Sequence, residues 1–531
     1  MGIPSYFSYI IRNYPQIVKN LKFHKKNGTR FHNLFMDCNS IIYDAIRSIS
    51  DLEDDFESKL IDIVIEKIHK YILEINPLNT IFIAFDGVAP LAKMNQQRTR
   101  RYKSDFLSKM EYIKSEKELK WSTSNITPGT KFMDMLSKKI SYHFLNTETK
   151  YKVKNVIVSG SDEVGEGEHK IFKYIRDHPN IEENMMLYGL DSDLIMLSIF
   201  NNSCFRKGFI FREAPEFIKS SIVLDEKPNE NEPYVLDISL LCDSILREMN
   251  CKYPDKQRVY DYVFLCFLLG NDFLPHFPAL NIRTHGIPVL LDMYSDIIGK
   301  YHDRFLISKN NKIQWRFFGK FIKELAKNEY QFLLEEYGVR DKHEKRNWKE
   351  NTPEEREQAL QNIPIIYRIE EKYICPSEKM WEERYYKSLF HLEKNQNELN
   401  NICTNFLEGM EWVFKYYSGD CPDWRWSYNY HYPPLLSDLQ HFIPDFDTTF
   451  IRINRKPFTP KVQLAYVLPT SQFDLIIEKN RKHLLKKYSY LYSDKMSFQW
   501  AFCRYFWEAH VNFQSIPVEI MEKWENELTS I

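Results

Sequence analysis

Four short apolar segments, each followed by acidic side chains, constrain the fold of this chain more than any other feature. The segments cover residues 33–36, 80–85, 156–160 and 184–188, and they are rich in large apolar residues. A stretch with helical spacing follows each of them. Alternating strands and helices predict an α/β fold that is built on a central, mostly parallel sheet.

The acidic residues after these segments are expected to meet at one edge of the sheet. They are Asp37, Asp86, Glu166, Glu168, Asp191 and Asp193, and Asp272 joins them from the turn after a helix expected over residues 259–269. Ligands of open α/β sheets bind outside the carboxyl ends of the strands. A single acid after a strand is commonly a helix N-cap, but acids after four strands of one sheet are poorly explained in that way.

The turn at residues 159–170 combines glycines with four carboxylates. The order of strand, glycine-rich turn and helix is that of a phosphate-binding loop. So many negative charges would repel a phosphate, however, unless divalent cations lay between them. Gly165 and Gly167 would let the backbone bend tightly enough to bring Glu166 and Glu168 to such cations.

Clustered carboxylates require positive charge. Two carboxylates about 4 Å apart repel each other by roughly 4 kcal/mol at an effective dielectric near 20, so seven of them need cations or strongly raised pKa values. Oxygen ligands select Mg²⁺ or Mn²⁺ rather than zinc. Two such ions would serve the hydrolysis of a phosphodiester. We therefore predict that all seven acids are both catalytic and metal-binding.

A basic segment follows the second predicted strand. Residues 91–104 hold five basic and no acidic side chains, within a longer excursion over residues 91–135. On a helix Lys93, Gln97, Arg100 and Arg101 would share one face. This face suits a pocket for a terminal phosphate, to which arginine can donate two hydrogen bonds. A solvated basic helix face is the alternative interpretation.

Composition restricts the function classes only weakly. The 72 basic and 73 acidic residues give a net charge of −1, so nucleic-acid binding would need local patches of positive charge. The nine cysteines form no C-x-x-C pair, which argues against a structural zinc site and favours a reducing compartment. No apolar run has the length of a membrane span. We expect an intracellular protein that does not bind membranes, in the cytoplasm rather than in the nucleus.

Three further segments carry local expectations. Residues 5–21 are expected to form a short amphipathic helix, and residues 60–75 a second helix with Ile61, Val64 and Ile68 on one face. Thr130 follows a Pro-Gly turn and could cap the next helix. Residues 333–362 are dense in charge and are expected to form an exposed helix or linker.

Eight short motifs, taken together, resemble the XRN family of 5′→3′ exoribonucleases. They occupy residues 1–4, 35–39, 85–90, 93–98, 126–130, 165–170, 188–197 and 270–276, in that order. A second conserved region of the family is similar to parts of residues 381–469. The chain resembles a short member of the family, with the catalytic regions and without the accessory C-terminal domains. We therefore expect a nuclease domain over residues 1–282, a mainly helical region over 283–470 that wraps it, and a divergent segment over 471–531.

The resemblance implies a PIN-like, flap-nuclease-type core and a site with two metal ions. It also implies that Lys93, Gln97, Arg100 and Arg101 form a pocket for a 5′ monophosphate. The substrate would be single-stranded RNA with a 5′ monophosphate, which is degraded processively to mononucleotides. We expect the protein to act as a monomer.

The chain departs from the family at one aromatic position. Tyr43 stands where the family usually has a histidine that stacks on the 5′ nucleobase. Tyrosine can still stack, because a base needs only a π face, but it does not carry a proton near neutral pH as histidine does. By the same resemblance Trp424 or Trp426 would stack on the base from the other side, although either ring could instead pack in the core.

Two other functions remain open at this point. A structure-specific 5′ DNA flap nuclease could use the same core, although the motifs at residues 93–98 and 126–130 favour an RNA exonuclease. A non-catalytic RNA-binding scaffold would gain nothing from the mutual repulsion of seven acids.

Overall fold

A seven-stranded sheet forms the centre of the molecule. The computed structural model describes residues 2–49, 55–109, 121–189, 191–213, 233–492 and 496–530. The strands of the sheet are β1 Val18–Asn20, β2 Asn33–Asp37, β3 Thr80–Ala84, β4 Asn155–Ser159, β5 Asn180–Tyr188, β6 Phe205–Arg212 and β7 Tyr234–Asp237. Their order is β1-β7-β6-β5-β2-β3-β4. The five adjacent strands β6, β5, β2, β3 and β4 are parallel to one another, whereas β7 is antiparallel to both β6 and β1.

The four predicted strands lie side by side as β5-β2-β3-β4. Asp37 pairs with Ala84, and Ala84 pairs in turn with Ser159, so these strands end at the same level. Tyr188 at the end of β5 pairs with Met36. The expected mostly parallel sheet is thus confirmed, and the acids that follow these strands all start from one edge.

Helices surround the sheet and make up most of the second half of the chain. The first half contains α1 Tyr6–Asn13, α2 Leu21–Lys26, α3 Asn39–Arg47, α4 Phe56–Ile75, α5 Leu91–Lys109, α6 Lys131–Phe144, α7 Glu148–Tyr151, α8 Gly167–Asp177, α9 Ser192–Phe200, α10 Ile238–Glu248 and α11 Arg258–Cys266. The second half contains α12 Gly286–Tyr294, α13 Trp315–Ala326, α14 Glu329–Glu344, α15 Pro353–Gln361, α16 Ile363–Ile366, α17 Ile369–Ile374, α18 Trp381–Leu389, α19 Gln396–Ser418, α20 Leu436–Leu439, α21 Pro460–Val467, α22 Glu478–Tyr488 and α23 Val518–Ser530. None of the helices in the described ranges is both long and apolar enough to cross a membrane.

Each side of the sheet has its own core because successive strand residues face opposite sides. Leu34 and Met36 of β2 pack on one side with Ile61 of α4. Phe35, which lies between them, packs on the other side with Phe172 of α8. Burial on both faces explains why these strands are continuous apolar runs rather than alternating ones.

Two of the local helix predictions are confirmed. α4 includes residues 60–75, with Ile61, Val64 and Ile68 buried. Thr130 caps α6, since its side chain accepts a hydrogen bond from the backbone N–H of Met133.

The prediction of one helix over residues 5–21 is wrong. α1 ends at Asn13, and a 3-10 turn over Pro15–Ile17 and the edge strand β1 follow it. Pro15 lacks a backbone N–H and cannot continue the hydrogen bonding of α1. The chain therefore turns and adds a strand to the edge of the sheet.

The segment after residue 470 packs against α5 and α21. It includes α22, α23 and a small antiparallel pair, β8 Ser497–Gln499 and β9 His510–Asn512. Trp524 and Leu528 of α23 share a buried cluster with Leu91 and Met94 of α5 and with Val462 of α21. The domain boundaries at residues 282 and 470 stay a prediction, but apolar packing crosses both of them.

Much of the charged segment over residues 333–362 is helical, within α14 and α15, but the segment is only partly exposed, so the expected exposure is wrong for Arg340. Arg340 of α14 is 2% exposed because it pairs with Glu371 of α17. The Glu371 carboxylate accepts hydrogen bonds from Arg340 Nε at 2.9 Å, from Arg368 Nε at 2.5 Å and from the backbone N–H of Phe502 at 2.9 Å. Burial raises the pKa of Glu371, but the two guanidinium groups outweigh it and lower that pKa below its ordinary value.

The variant Glu371→Gln should lower the free energy of unfolding by about 3–5 kcal/mol at neutral pH, because it leaves buried guanidinium groups without a counter-charge. The folded pKa of Glu371 lies below the unfolded one, so its contribution is complete above the unfolded value of about 4.3 and disappears as the pH falls through the folded pKa. Urea denaturation between pH 3 and 7 measures this. The difference between wild type and variant should shrink at the acidic end. Glu383→Gln on α18, which is exposed, is the matched control, and an equal loss in both variants would contradict the prediction.

Candidate metal centre

The acids predicted from the sequence gather at the carboxyl edge of the sheet. Asp37 ends β2, Asp86 follows β3 by two residues, Glu166 and Glu168 lie at the start of α8, and Asp191 and Asp193 at the start of α9. Asp272 follows the 3-10 turn Phe267–Leu269 and reaches the same cluster from the helical side. Leu190, which belongs to one of the motifs, lies outside the described residues.

Asp37, Asp86 and Glu168 form the centre of the cluster, with one oxygen from each within 4.8 Å of the others. Asn39 positions Asp86 from both sides, because its amide donates to Asp86 Oδ2 and its carbonyl oxygen accepts from the Asp86 backbone N–H at 3.1 Å. The backbone N–H of Gly167 donates to Asp86 Oδ1 at 2.8 Å. The carboxylates are therefore held in place by groups of the chain itself.

The glycines of the acidic turn bring its backbone close to these carboxylates. Gly165 has a φ of +111°, a conformation that residues with a side chain rarely adopt. A Cβ atom on Gly167 would lie 2.6 Å from Asp37 Oδ1, which is too close for van der Waals contact. The tight bend expected for this turn is present.

Burial and mutual repulsion favour the protonated form of several acids. The pKa of Asp37 rises to about 8 because the group is buried and because Asp86 and Asp191 lie nearby. Burial together with Asp191 and Asp272 raises the pKa of Asp193 to about 7. Burial, Glu166 and Asp37 raise the pKa of Glu168 well above its ordinary value. The cluster is therefore short of positive charge in the protein alone.

Lys93 supplies part of that positive charge. Its ammonium group lies 2.6 Å from Glu166 Oε2 and 2.8 Å from Asp272 Oδ2. Burial lowers the pKa of Lys93, but the two carboxylates outweigh it, and the pKa lies well above its ordinary value. For Asp272 burial acts to raise the pKa, yet Lys93 lowers it below the ordinary value. A permanently charged lysine thus joins the turn after β4 to the loop at Asp272.

Two tyrosines of α19 complete the cluster, and the sequence analysis missed both. Tyr416 Oη donates to Glu166 Oε1 at 2.8 Å, and Tyr417 Oη donates to Asp193 Oδ1. The residues in each pair are more than 220 positions apart in the chain. No spacing rule links residues so distant, although two adjacent tyrosines at the end of a long buried helix were a signal worth examining.

His169 is a further candidate ligand at the rim of the cluster. A ring nitrogen of His169 and one oxygen each of Glu166 and Glu168 lie within 4.8 Å of one another. The His169 ring stacks on Tyr416, with 3.6 Å between the ring centroids. Burial, with Lys93 and Arg176 nearby, holds the pKa of His169 well below its ordinary value, so the imidazole is neutral and able to coordinate a metal.

The four residues that were predicted to share one basic face of α5 have different surroundings in the structure. Lys93 reaches the acids, while Gln97 is buried and accepts a hydrogen bond from Gln463 Nε2 at 3.1 Å. Arg101 is 6% exposed, and burial, with Arg100 nearby, lowers its pKa to about 10. Arg100 is exposed. A solvated basic face is therefore the wrong interpretation for all of this set except Arg100.

The predicted aromatic residues differ in exposure. Tyr43 of α3 is half-buried, and its hydroxyl lies close enough to Arg101 to affect the pKa of that guanidinium. Trp424 is half-buried, and its ring edge lies 3.9 Å from the place of a Cβ atom on Gly165. Trp426 is 6% exposed and stacks on the Trp412 ring. Of the two tryptophans, only Trp424 has an accessible ring beside the acidic turn.

The cluster fits a divalent cation by its donor atoms. Asp37 Oδ1 is buried and has no hydrogen-bond partner among the described residues. An unpaired buried carboxylate oxygen is unfavourable unless a cation or a proton satisfies it. Carboxylate oxygens from several chain segments are the ligand set of Mg²⁺ and Mn²⁺.

The variant Lys93→Met should destabilise the protein more in chelator than in Mg²⁺. With chelator we expect a loss of about 3–5 kcal/mol, because Glu166 and Asp272 lose their buried counter-charge. Ions that bind the folded cluster stabilise it by mass action and should recover part of this loss. Chemical denaturation in both buffers measures the difference. Lys173→Met, at an exposed pair with Asp420, should change little in either buffer. The same loss for Lys93→Met with and without Mg²⁺ would mean that no cation binds there.

Comparison with known proteins identifies the family. Residues 1–213 match the model of the XRN 5′-3′ exonuclease N-terminus, and residues 252–378 and 372–500 match the model of the Xrn1 helical domain. The chain is 27% identical to the 5′-3′ exoribonuclease 2 homolog of Drosophila melanogaster, over 89% of this chain and 64% of that protein. It is 28% identical to human 5′-3′ exoribonuclease 1, over 90% of this chain and 31% of the relative. The chain thus spans less than two thirds of the length of these relatives.

Solved structures give a weaker likeness. The catalytic core of Rad2 in complex with DNA substrate matches 55% of this chain and 70% of its own, at 13% identity and a TM-score of 0.30. That overlap is too low to support a statement about function. The two family models together extend over most of the sequence, from residue 1 to residue 213 and from residue 252 to residue 500. The chain therefore belongs to the XRN family of 5′-3′ exonucleases.

Proposed function

We propose that this chain is a divalent-metal-dependent 5′→3′ exoribonuclease. It hydrolyses single-stranded RNA with a 5′ monophosphate processively and releases mononucleotides. The observation that carries the proposal is the group of Asp37, Asp86 and Glu168, one oxygen of each lying within 4.8 Å of the others beside the cationic helix α5. The relatives that are named 5′-3′ exoribonucleases support RNA as the substrate.

Asp37, Asp86 and Glu168 would hold one divalent ion, and Asp191 and Asp193 would contribute to a second. Glu166 and Asp272 complete the predicted set through their shared contact with Lys93. Two Mg²⁺ or Mn²⁺ ions supply an activated water and stabilise the leaving oxygen when bound.

The chain positions these donors before a substrate arrives. Asn39 and the backbone of Gly167 hold Asp86, Tyr416 holds Glu166, and Tyr417 holds Asp193. Fixed donors do not have to reorganise during the reaction, which is a large source of rate acceleration in enzymes. The helical region therefore contributes to catalysis through α19 as well as to stability.

The 5′ phosphate would bind at the part of α5 that contains Arg100 and Arg101, beyond the metal centre. Arg101 Nε is buried without a hydrogen-bond partner among the described residues, and Arg100 beside it is exposed. Gln97 and Lys93 lie on the same face of α5, about one and two turns before Arg101. An enclosed pocket that complements one phosphate excludes a cap or a triphosphate, while a 5′ hydroxyl leaves its cations unpaired.

The first bases would stack between Tyr43 and Trp424. Tyr43 lies beside Arg101, and Trp424 lies beside Gly165, so the two rings flank the acidic cluster from different segments. Trp426 packs in the core on Trp412, which makes it the weaker candidate. Stacking on aromatic side chains tolerates any base sequence, as general RNA degradation requires.

End-labelled RNAs with a 5′ monophosphate, triphosphate or hydroxyl, together with matching DNA, test the proposed reaction. In Mg²⁺ we expect release of mononucleotides from the monophosphate RNA at least about tenfold faster than from the other ends, and no reaction in chelator. Arg100→Ala should reduce this preference, because a pocket with one cation fewer distinguishes the ends less well. Arg47→Ala, an exposed arginine of α3, should preserve it. Internal cuts, or equal rates on all 5′ ends, would exclude this function, and cleavage of branched DNA alone would indicate a flap nuclease.

The stacking role of Tyr43 is tested in an Asp191→Ala background, where we expect RNA to bind without being hydrolysed. Tyr43→Ala should weaken the binding of a short RNA by about 1–3 kcal/mol, because one base loses its stacking partner. Tyr43→Phe should bind like the background protein, since only the ring is needed. Tyr142→Ala, an 83% exposed tyrosine, serves as the control. Weak binding by Tyr43→Phe would show that the hydroxyl, rather than the ring, makes the contact.

A further inference from the structure

A cavity of about 1110 Å³ lies against one side of α5. Asn95, Thr99 and Lys103 line it at positions i, i+4 and i+8, which places them on one face of the helix. Lys93 and Gln97, which belong to the proposed site, lie on a different face. The volume exceeds what a small organic ligand of nucleotide size needs.

The cavity adjoins the metal centre at one end. Asp272 belongs both to the acid cluster and to the wall of the cavity, and Gly2 and Arg100 line the same end. Segments of the second half of the chain, including β9, close the other sides. A small molecule that left the acid cluster past Asp272 would enter this space directly.

Aromatic rings form a large part of the wall. They belong to Phe273, Tyr430, Tyr466, Phe506, Trp507 and Phe513. Planar ligands gain roughly 1–3 kcal/mol from stacking on such rings. The wall therefore suits a nucleobase better than it suits a flexible aliphatic ligand.

Arg98 provides a cation with unused donors in this wall. It is 1% exposed, and its guanidinium group stacks on the Phe513 ring at 4.1 Å and on the Tyr466 ring at 4.9 Å. Nη2 donates to the backbone oxygen of Gln514 at 3.2 Å, whereas Nε and Nη1 have no hydrogen-bond partner among the described residues. Buried unpaired donors are unfavourable, and a phosphate oxygen at Nε or at Nη1 would satisfy one of them with a charge-assisted hydrogen bond.

The other charged groups of the wall already have partners. Lys103 Nζ donates to the backbone oxygens of Trp507 and Ala509, and the Arg283 guanidinium pairs with Glu508 at 2.5 Å. Asp272 pairs with Lys93. Among the described residues of the wall, Arg98 thus remains for an anionic ligand, since Arg100 at the rim belongs to the proposed 5′-phosphate pocket.

We propose that this cavity binds a nucleoside 5′-monophosphate, with the base on the aromatic wall and the phosphate at Arg98. The identification of this ligand as the reaction product rests on the proposed function. The cavity then receives the nucleotide that each cycle releases, on the side of α5 away from Lys93 and Gln97.

Binding of adenosine 5′-monophosphate in chelator tests the cavity apart from the reaction. Without divalent ions the acid cluster repels phosphate, so saturable binding would occur in this cavity or in the proposed 5′-phosphate pocket, and the Thr99→Trp variant distinguishes the two. We expect saturable binding by calorimetry and a change in Trp507 fluorescence. Thr99→Trp, which fills the cavity, should weaken binding at least tenfold, whereas Ser108→Trp on α5 outside the cavity should not. Absence of binding in chelator, or equal binding by wild type and Thr99→Trp, would overturn the proposal.

Photo-crosslinking gives an answer even if Thr99→Trp does not fold. In wild-type protein 8-azidoadenosine 5′-monophosphate should label peptides that contain Tyr430 or residues 506–513. Labelling confined to peptides with Tyr43 or Trp424 would place the nucleotide in the proposed RNA site instead and would exclude the cavity. Adenosine and inorganic phosphate as separate competitors show which half of the ligand contributes more to binding, and displacement by neither would also exclude the cavity.

RNA hydrolysis without nucleotide binding in chelator would contradict only this inference, whereas nucleotide binding without hydrolysis would contradict the proposed function.

Discussion

The mutual repulsion of carboxylates at the edge of the sheet is the constraint on which the rest of the structure depends. Parallel strands bring their carboxyl ends to one level, so the acids that follow β2, β3, β4 and β5 cannot avoid one another. Lys93 offsets only part of this charge, through Glu166 and Asp272. The raised pKa of Asp37, to about 8, reflects what is left uncompensated at the centre. Protons on some of the acids, or the divalent cations that we propose, would balance this charge.

The second half of the chain is part of the same arrangement. α19 brings Tyr416 and Tyr417 onto Glu166 and Asp193, and α21 packs against α5 through the Gln463 contact to Gln97. α5 borders both the acid cluster and the cavity, because Lys93 contacts the acids and Thr99 lines the cavity. Without the helical region, Glu166 and Asp193 would therefore lose the hydrogen bonds that the two tyrosines donate.

The local part of the fold and site could be predicted from the sequence, because strands and the acids after them are adjacent in the chain. Asp37 and Asp86 could be placed together because each follows an apolar run and both runs were predicted to lie in one sheet. The contacts of Lys93 with Asp272 and of Tyr416 with Glu166 connect residues 179 and 250 positions apart, and no periodicity marks such pairs.

Two errors have equally specific causes. The prediction of one helix over residues 5–21 is wrong because Pro15 interrupts the helical hydrogen bonding. The segment at residues 333–362 was judged by its charge alone, while the burial of Arg340 depends on Glu371, which lies outside that segment. The identification of the family rested on motif order rather than on any single contact.

Anomalous diffraction from crystals grown with Mn²⁺ would show directly whether these acids hold a pair of divalent ions, as we propose. We expect two peaks about 4 Å apart, one contacted by Asp37, Asp86 and Glu168 and the other by Asp191 and Asp193. A cluster without any peak at saturating Mn²⁺, or with a single ion at His169 only, would contradict it.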